Sequence, residues 1–168
     1  EAESKEQKQE LEMIGEVLKI DAPKFNDFIE TSHGFLAECL SIIESTSTKD
    51  AKAIANLFRS MHTIKGNART YGLKYITDVV HEVENTYDDL RKNEASLWDV
   101  EVLLSELDGA KEILARYAYI FRSKLGLGHA LTNDFTIEPK RVEVWLNHIA
   151  ELTEDSQGSE LKDVVAEA

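Results

Sequence analysis

Phe58-Arg59-Ser60-Met61-His62-Thr63-Ile64-Lys65-Gly66-Asn67-Ala68-Arg69-Thr70-Tyr71-Gly72 carries two patterns at once. Phe58, Met61, Ile64 and Ala68, with Ile54 and Leu57 upstream, recur at the three- and four-residue spacing of an apolar helical face. At about 100° per residue, His62, Lys65, Gly66 and Arg69 fall on one stripe that flanks this face without entering it. The spacing predicts a packed helix from about Asp50 to Tyr71, ended by Gly72 as a left-handed cap, with a partly exposed histidine at its middle.

Helical patterns continue on both sides. Lys5 to Ile20 places Leu11, Ile14, Val17 and Leu18 on one side. Asp21-Ala22-Pro23 reads as an N-cap with proline in the first turn, opening a helix to Ser45 that carries Phe25, Phe28, Ile29, Phe35, Leu36, Cys39, Leu40 and Ile43. After Gly72, Leu73 to Asn93 shows a seam of Leu73, Ile76, Val80, Val83, Tyr87 and Leu90. Trp98 to Leu125 turns Val100, Leu104, Leu107, Leu114, Tyr117 and Phe121 inward. No strand-like alternation persists, and two prolines and eight glycines are few breakers for this length. The expected fold is all-α, an antiparallel four-helix bundle over residues 5–125 with additional N- and C-terminal helices. Residues 126–155 are expected to form a loop and an accessory helix opened by Pro139, and residues 156–168 an acidic tail.

Composition narrows the functional classes. With 42% hydrophobic and 30% charged residues, the chain can bury a core. The single Cys39 excludes an internal disulfide framework and sits in an apolar run, as a buried bystander would. No apolar run approaches the ~18 residues of a membrane span and no signal-peptide pattern opens the chain, so this segment is expected to be cytoplasmic and free of membrane contact. The first residue is Glu1, consistent with a segment of something longer. A net charge of −13 argues against nucleic acid as a partner. From Lys49 to Tyr75, however, six basic residues face the single acidic Asp50. That strip fits an anionic ligand or partner, and equally an ordinary solvated helix face.

The chemistry-bearing residues lie on two adjacent helices. A phosphoryl acceptor requires an imidazole in fixed orientation with an open approach, as expected for His62. Lys65, one turn on, brings an ammonium to the region where phosphoryl oxygens would lie. Gly66 weakens a helix by up to about 1 kcal/mol relative to alanine, and its use would be clearance for the imidazole and an incoming partner. Arg69, with Arg59 and Asn67 beside the same stripe, offers contacts to an anionic partner. On the following helix His81 and Glu84 share a flank at i, i+3. If that flank faces His62, Glu84 accepts the Nδ1 proton and leaves Nε2 unprotonated and nucleophilic, with His81 extending the network. A carboxylate-bridged metal bundle would need two Glu-x-x-His units, and the nearest match is Asp78-x-x-His81.

His62-Thr63-Ile64-Lys65-Gly66 with Gly72 resembles the H-x-x-K-G-x5-G signature of histidine phosphotransfer (HPt) domains. Leu57-Phe58-Arg59 before it and His81-x-x-Glu84 after it resemble the version at the N-terminus of chemotaxis-type histidine kinases. Given a histidine, the other three signature residues coincide by chance on the order of once in several thousand trials. The resemblance covers roughly Leu11 to Leu125, and departs at Asn67, where the family often has a small residue. It implies a phosphorelay intermediate: His62 accepts a phosphoryl group from a histidine kinase catalytic domain or a phospho-Asp receiver, and passes it to a response-regulator receiver domain. Lys65, Gly66, Glu84 and His81 form its surroundings. No cofactor is implied within the chain; Mg²⁺ is expected on the partner receiver or at the kinase ATP site. Gly126-Leu127-Gly128 is too short for a nucleotide loop and lacks a flanking strand, so an ATP site is expected elsewhere. The alternative is a non-catalytic module of the same fold that docks or inhibits a kinase or receiver.

Overall fold

The computed structural model describes Ala2 to Gly128; the helix expected after Pro139 and the acidic tail lie outside the described residues. Five α-helices follow one another: α1 (Ala2–Val17), α2 (Ala22–Ser45), α3 (Ala51–Tyr71), α4 (Lys74–Lys92) and α5 (Val100–Tyr119). A π-helical turn, Ile120–Lys124, extends α5. There is no strand among the described residues, and no described helix is long and apolar enough to cross a membrane.

Local chemistry sets the boundaries. The Asp21 carboxylate accepts from the Lys24 amide, and Pro23 occupies the first turn of α2, where its missing N–H costs nothing. Asp50 caps α3 by accepting from the Ala53 amide at 2.7 Å, and Asp99 caps α5 through the amides of Glu101 and Val102. Gly72 ends α3 at φ 71°, which lets the Leu73 amide reach back to the Ala68 carbonyl at 2.9 Å. That tight reversal sends α4 back along α3, the most extensive helix pairing in the fold.

α2 packs on both α3 and α5, and α4 packs on α5, closing a ring of four helices around one core. Leu57, Met61, Ile64 and Ala68 of α3 meet Ile76, Val80, Val83 and Tyr87 of α4 in that core. Phe25 lies 4.9 Å, centroid to centroid, from Phe121, and Phe28 meets Tyr71 edge-on at 5.9 Å. Cys39 is fully buried, and burial pushes its thiol up to about 12, consistent with an inert packing residue.

The first helix buries Val17 and packs Ile14 against the core as expected, but departs from expectation at its two leucines. Met13 and Val17 are the residues that enter the core, whereas Leu11 and Leu18 are exposed. Polar anchors choose this face: the Tyr117 hydroxyl donates to Glu16, the Tyr75 hydroxyl to Glu12, and Arg116 to the Gln9 side-chain carbonyl at 3.3 Å. Apolarity alone favoured the leucines, while hydrogen-bond partners on α4 and α5 fix the rotation of α1.

Gly66 within α3 and Gly72 at its cap differ in what a side chain would cost. A methyl at Gly72 meets nothing within 4 Å, but the left-handed backbone penalises it. A methyl at Gly66 also meets nothing within 4 Å, and Gly66 has no positive φ. Gly72→Ala should therefore lose about 1 kcal/mol in urea unfolding, while Gly66→Ala should gain up to about 1 kcal/mol. A loss at Gly66 would mean that the fold itself requires that glycine.

Candidate functional site

Glu84 occupies an unusual place for a carboxylate. It follows Val83 on the flank of the α4 seam that faces α3, and it is only 4% exposed. A buried charge is costly unless paired and hydrogen-bonded. Both oxygens of Glu84 are used. Oε1 stands 2.7 Å from His62 Nδ1, and Oε2 accepts from the Lys65 ammonium. Burial alone would raise the Glu84 carboxyl; the bonds from Lys65 and His62 outweigh it and hold the group below the usual glutamate value.

That arrangement fixes the imidazole. With Nδ1 directed at an ionised carboxylate, the proton belongs on Nδ1, which leaves Nε2 as the free nitrogen. The His62 side chain is 65% exposed, so the ring is tethered at one nitrogen and open to solvent over most of its surface. Lys65 is largely covered, at 18% exposure of its side chain, because it lies down against Glu84. His62, Lys65 and Glu84 thus converge as expected from their spacing.

The other expected residues stand further out. His81 Nδ1 is 3.6 Å from Glu84 Oε2, beyond a hydrogen bond, so His81 is a neighbour of the carboxylate and not a third bonded partner. Gly66 is exposed on the turn after His62. A Cβ there would meet no atom of the described residues within 4 Å, so a methyl group alone would not crowd the imidazole. Asn67 and Arg69 are exposed, and Arg59 is exposed with a 3.2 Å bond to Asn56. Among the described residues no group of three or more His, Cys, Asp or Glu is arranged to hold a metal ion.

Two side chains at the site were not singled out by sequence reasoning. Phe58, one turn before His62, stacks on the imidazole with centroids 5.8 Å apart and planes within 20°. Arg91, two turns beyond Glu84 on α4, lies with its guanidinium 4.3 Å from the centre of the Phe58 ring. The signal for Phe58 was its i, i+4 spacing from His62, hidden by the expectation that it belongs to the core. Arg91 had no local signal.

The bundle thus presents an exposed histidine, tethered through Nδ1 by a buried carboxylate on the adjacent helix. The Hpt domain family model matches residues 25–115, and the chain belongs to that family. The segment is similar to the chemotaxis protein CheA of Borreliella burgdorferi, 34% identical over 68 residues, and to that of Salmonella typhimurium, 31% identical over 78 residues. Those matches cover 39% and 43% of this chain, but 8% and 12% of the two relatives. The chemotaxis protein CheA of Listeria monocytogenes matches over 44 residues at 36% identity, 26% of this chain and 7% of that protein.

The depressed Glu84 carboxyl makes a stability prediction with a definite sign. A carboxyl held below its ordinary value contributes stability that is present above that value and is lost as pH falls through the folded one. Glu84→Gln should cost about 1–3 kcal/mol at pH 7 by urea unfolding, since it replaces two charge-assisted bonds. The gap to the native chain should be full near neutrality and should begin to close as pH drops below the ordinary glutamate value of 4.5. A gap that stays constant down to acid pH would show that Glu84 is not a paired carboxylate.

Proposed function

We propose that this chain is the histidine phosphotransfer module of a cytoplasmic two-component relay and that His62 is its phosphoryl acceptor. The observation that carries the reading is the 2.7 Å contact between His62 Nδ1 and the buried Glu84 carboxylate beside an otherwise open imidazole. Nε2 attacks the phosphorus of ATP γ-phosphate on a kinase catalytic domain, or of a phospho-Asp on a receiver. The N–P bond forms as the P–O bond to the leaving oxygen breaks, and ADP or the aspartate carboxylate departs. The Nδ1 proton stays shared with Glu84, which offsets the positive charge that develops on the ring. Transfer onward reverses these bonds with a response-regulator aspartate as nucleophile.

Lys65 holds Glu84 ionised, and its remaining ammonium protons are available to phosphoryl oxygens. Gly66, Asn67, Arg59 and Arg69 line the approach to His62, and Gly66 keeps it flat for a docking partner. The Mg²⁺ that neutralises phosphate charge sits on the receiver or in the kinase ATP site, and this chain contributes no cofactor of its own. The similarity to segments of the chemotaxis protein CheA fits the sequence's resemblance to chemotaxis-type histidine kinases, which favours a kinase catalytic domain as donor. A purely docking, non-catalytic role accounts less well for a buried carboxylate spent on orienting an exposed ring.

Incubation with a chemotaxis-type kinase catalytic domain and radiolabelled ATP should place acid-labile, alkali-stable label on the native chain. His62→Gln should abolish that label with unchanged helical circular dichroism. Label retained by the variant would refute the assignment.

A further inference from the structure

The imidazole of His62 is restrained at more than one edge. Glu84 holds Nδ1, and with 65% of the side chain in solvent the remaining latitude of the ring plane depends on what else lies against it. Phe58 supplies the missing restraint. Its ring lies within 20° of the imidazole plane, at the offset separation of a stacked pair. Phe58 is only partly buried, so its own orientation also needs a cause. Arg91 provides one: the guanidinium sits 4.3 Å from the ring centre, within cation–π range. Arg91 is held in turn by Asp88 at 2.6 Å, one turn earlier on α4. A chain of contacts therefore runs Asp88, Arg91, Phe58, His62, alongside the Glu84 bond and independent of it.

We infer that Phe58, braced by Arg91, is a positioning residue for phosphoryl transfer: it sets the plane of the His62 imidazole and so the direction in which Nε2 presents its lone pair. The inference rests on His62 being the acceptor. Phosphorus must be approached in line with the leaving oxygen, so a ring whose plane is not held spends part of its time misaligned, and misalignment costs rate. Arg91 acts on the imidazole through the Phe58 ring that it covers.

A small phosphoryl donor isolates this effect, because it has no docking surface to lose. The full chain is treated with phosphoramidate and acid-labile phosphate on His62 is followed with time, for the native protein, Phe58→Leu, Phe58→Tyr, Arg91→Ala, Arg91→Lys and Asp88→Asn. Proton NMR of the His62 ring is recorded on the same samples, since a stacked phenyl displaces those resonances upfield. Phe58→Leu should remove the upfield displacement and slow phosphorylation about five- to tenfold, with helicity and urea midpoint close to native. Phe58→Tyr should restore both, and Arg91→Ala should show a smaller loss of both that Arg91→Lys partly repairs. Asp88→Asn should fall between native and Arg91→Ala. A Phe58→Leu chain that is labelled at the native rate overturns the positioning role and leaves the acceptor assignment standing. So does a native chain with no upfield displacement. A native chain that gains no label on His62 removes the acceptor assignment itself, and the positioning role with it.

Discussion

The site depends on a carboxylate placed where carboxylates rarely go. Glu84 is almost fully covered at the α3–α4 seam, and its charge is tolerable there because each oxygen is committed to a partner on α3. The Lys65 ammonium cancels the charge and the His62 N–H completes the hydrogen bonding. One interaction therefore has three consequences. It ties α3 to α4 away from the apolar core, it keeps Glu84 ionised, and it settles which nitrogen of His62 faces outward. The tight reversal at Gly72 makes this possible, since it returns α4 along α3 in the register that sets Glu84 opposite His62.

Packing and the site occupy neighbouring stripes of α3, and they meet at Phe58 and in the bonds of His62 and Lys65 to Glu84. Leu57, Met61, Ile64 and Ala68 are wholly buried and hold the helix against its neighbours. His62, Gly66 and Arg69 share the flanking stripe and are exposed. Gly66 is the clearest case: among the described residues no atom would crowd a Cβ there, and a helix interior disfavours glycine. A residue that costs stability and is not required by its own fold is best understood through what approaches from outside. A rigid helix carrying an open stripe lets a partner reach a fixed imidazole without rearrangement of the bundle.

Much of this was legible in the residue order because the determinants are local. Asp21, Asp50 and Gly72 mark helix ends through capping chemistry that acts within a few residues, so the starts of α2 and α3 and the close of α3 fall where the pattern placed them. His62, Lys65 and Glu84 were legible for a different reason: their spacing on two helices joined by a short turn leaves one way to face each other. What the pattern missed depends on distant partners. The rotation of α1 is decided by Tyr75 and Tyr117, more than sixty residues away in sequence, which no periodicity within α1 reports. Arg91 joins the site only through Phe58, so neither its neighbours nor its charge marked it. His81 was placed on the correct flank, but a helical wheel cannot resolve a hydrogen bond from a 3.6 Å approach.

The central claim is that Glu84 keeps the proton of neutral His62 on Nδ1 and leaves Nε2 free. Nitrogen-15 NMR of the histidine rings in the native chain reads this directly, because protonated and unprotonated ring nitrogens resonate far apart. At a pH where His62 is neutral, its Nδ1 should appear as a protonated nitrogen and its Nε2 as an unprotonated one. A proton found on Nε2, or an even mixture of tautomers, would contradict the account.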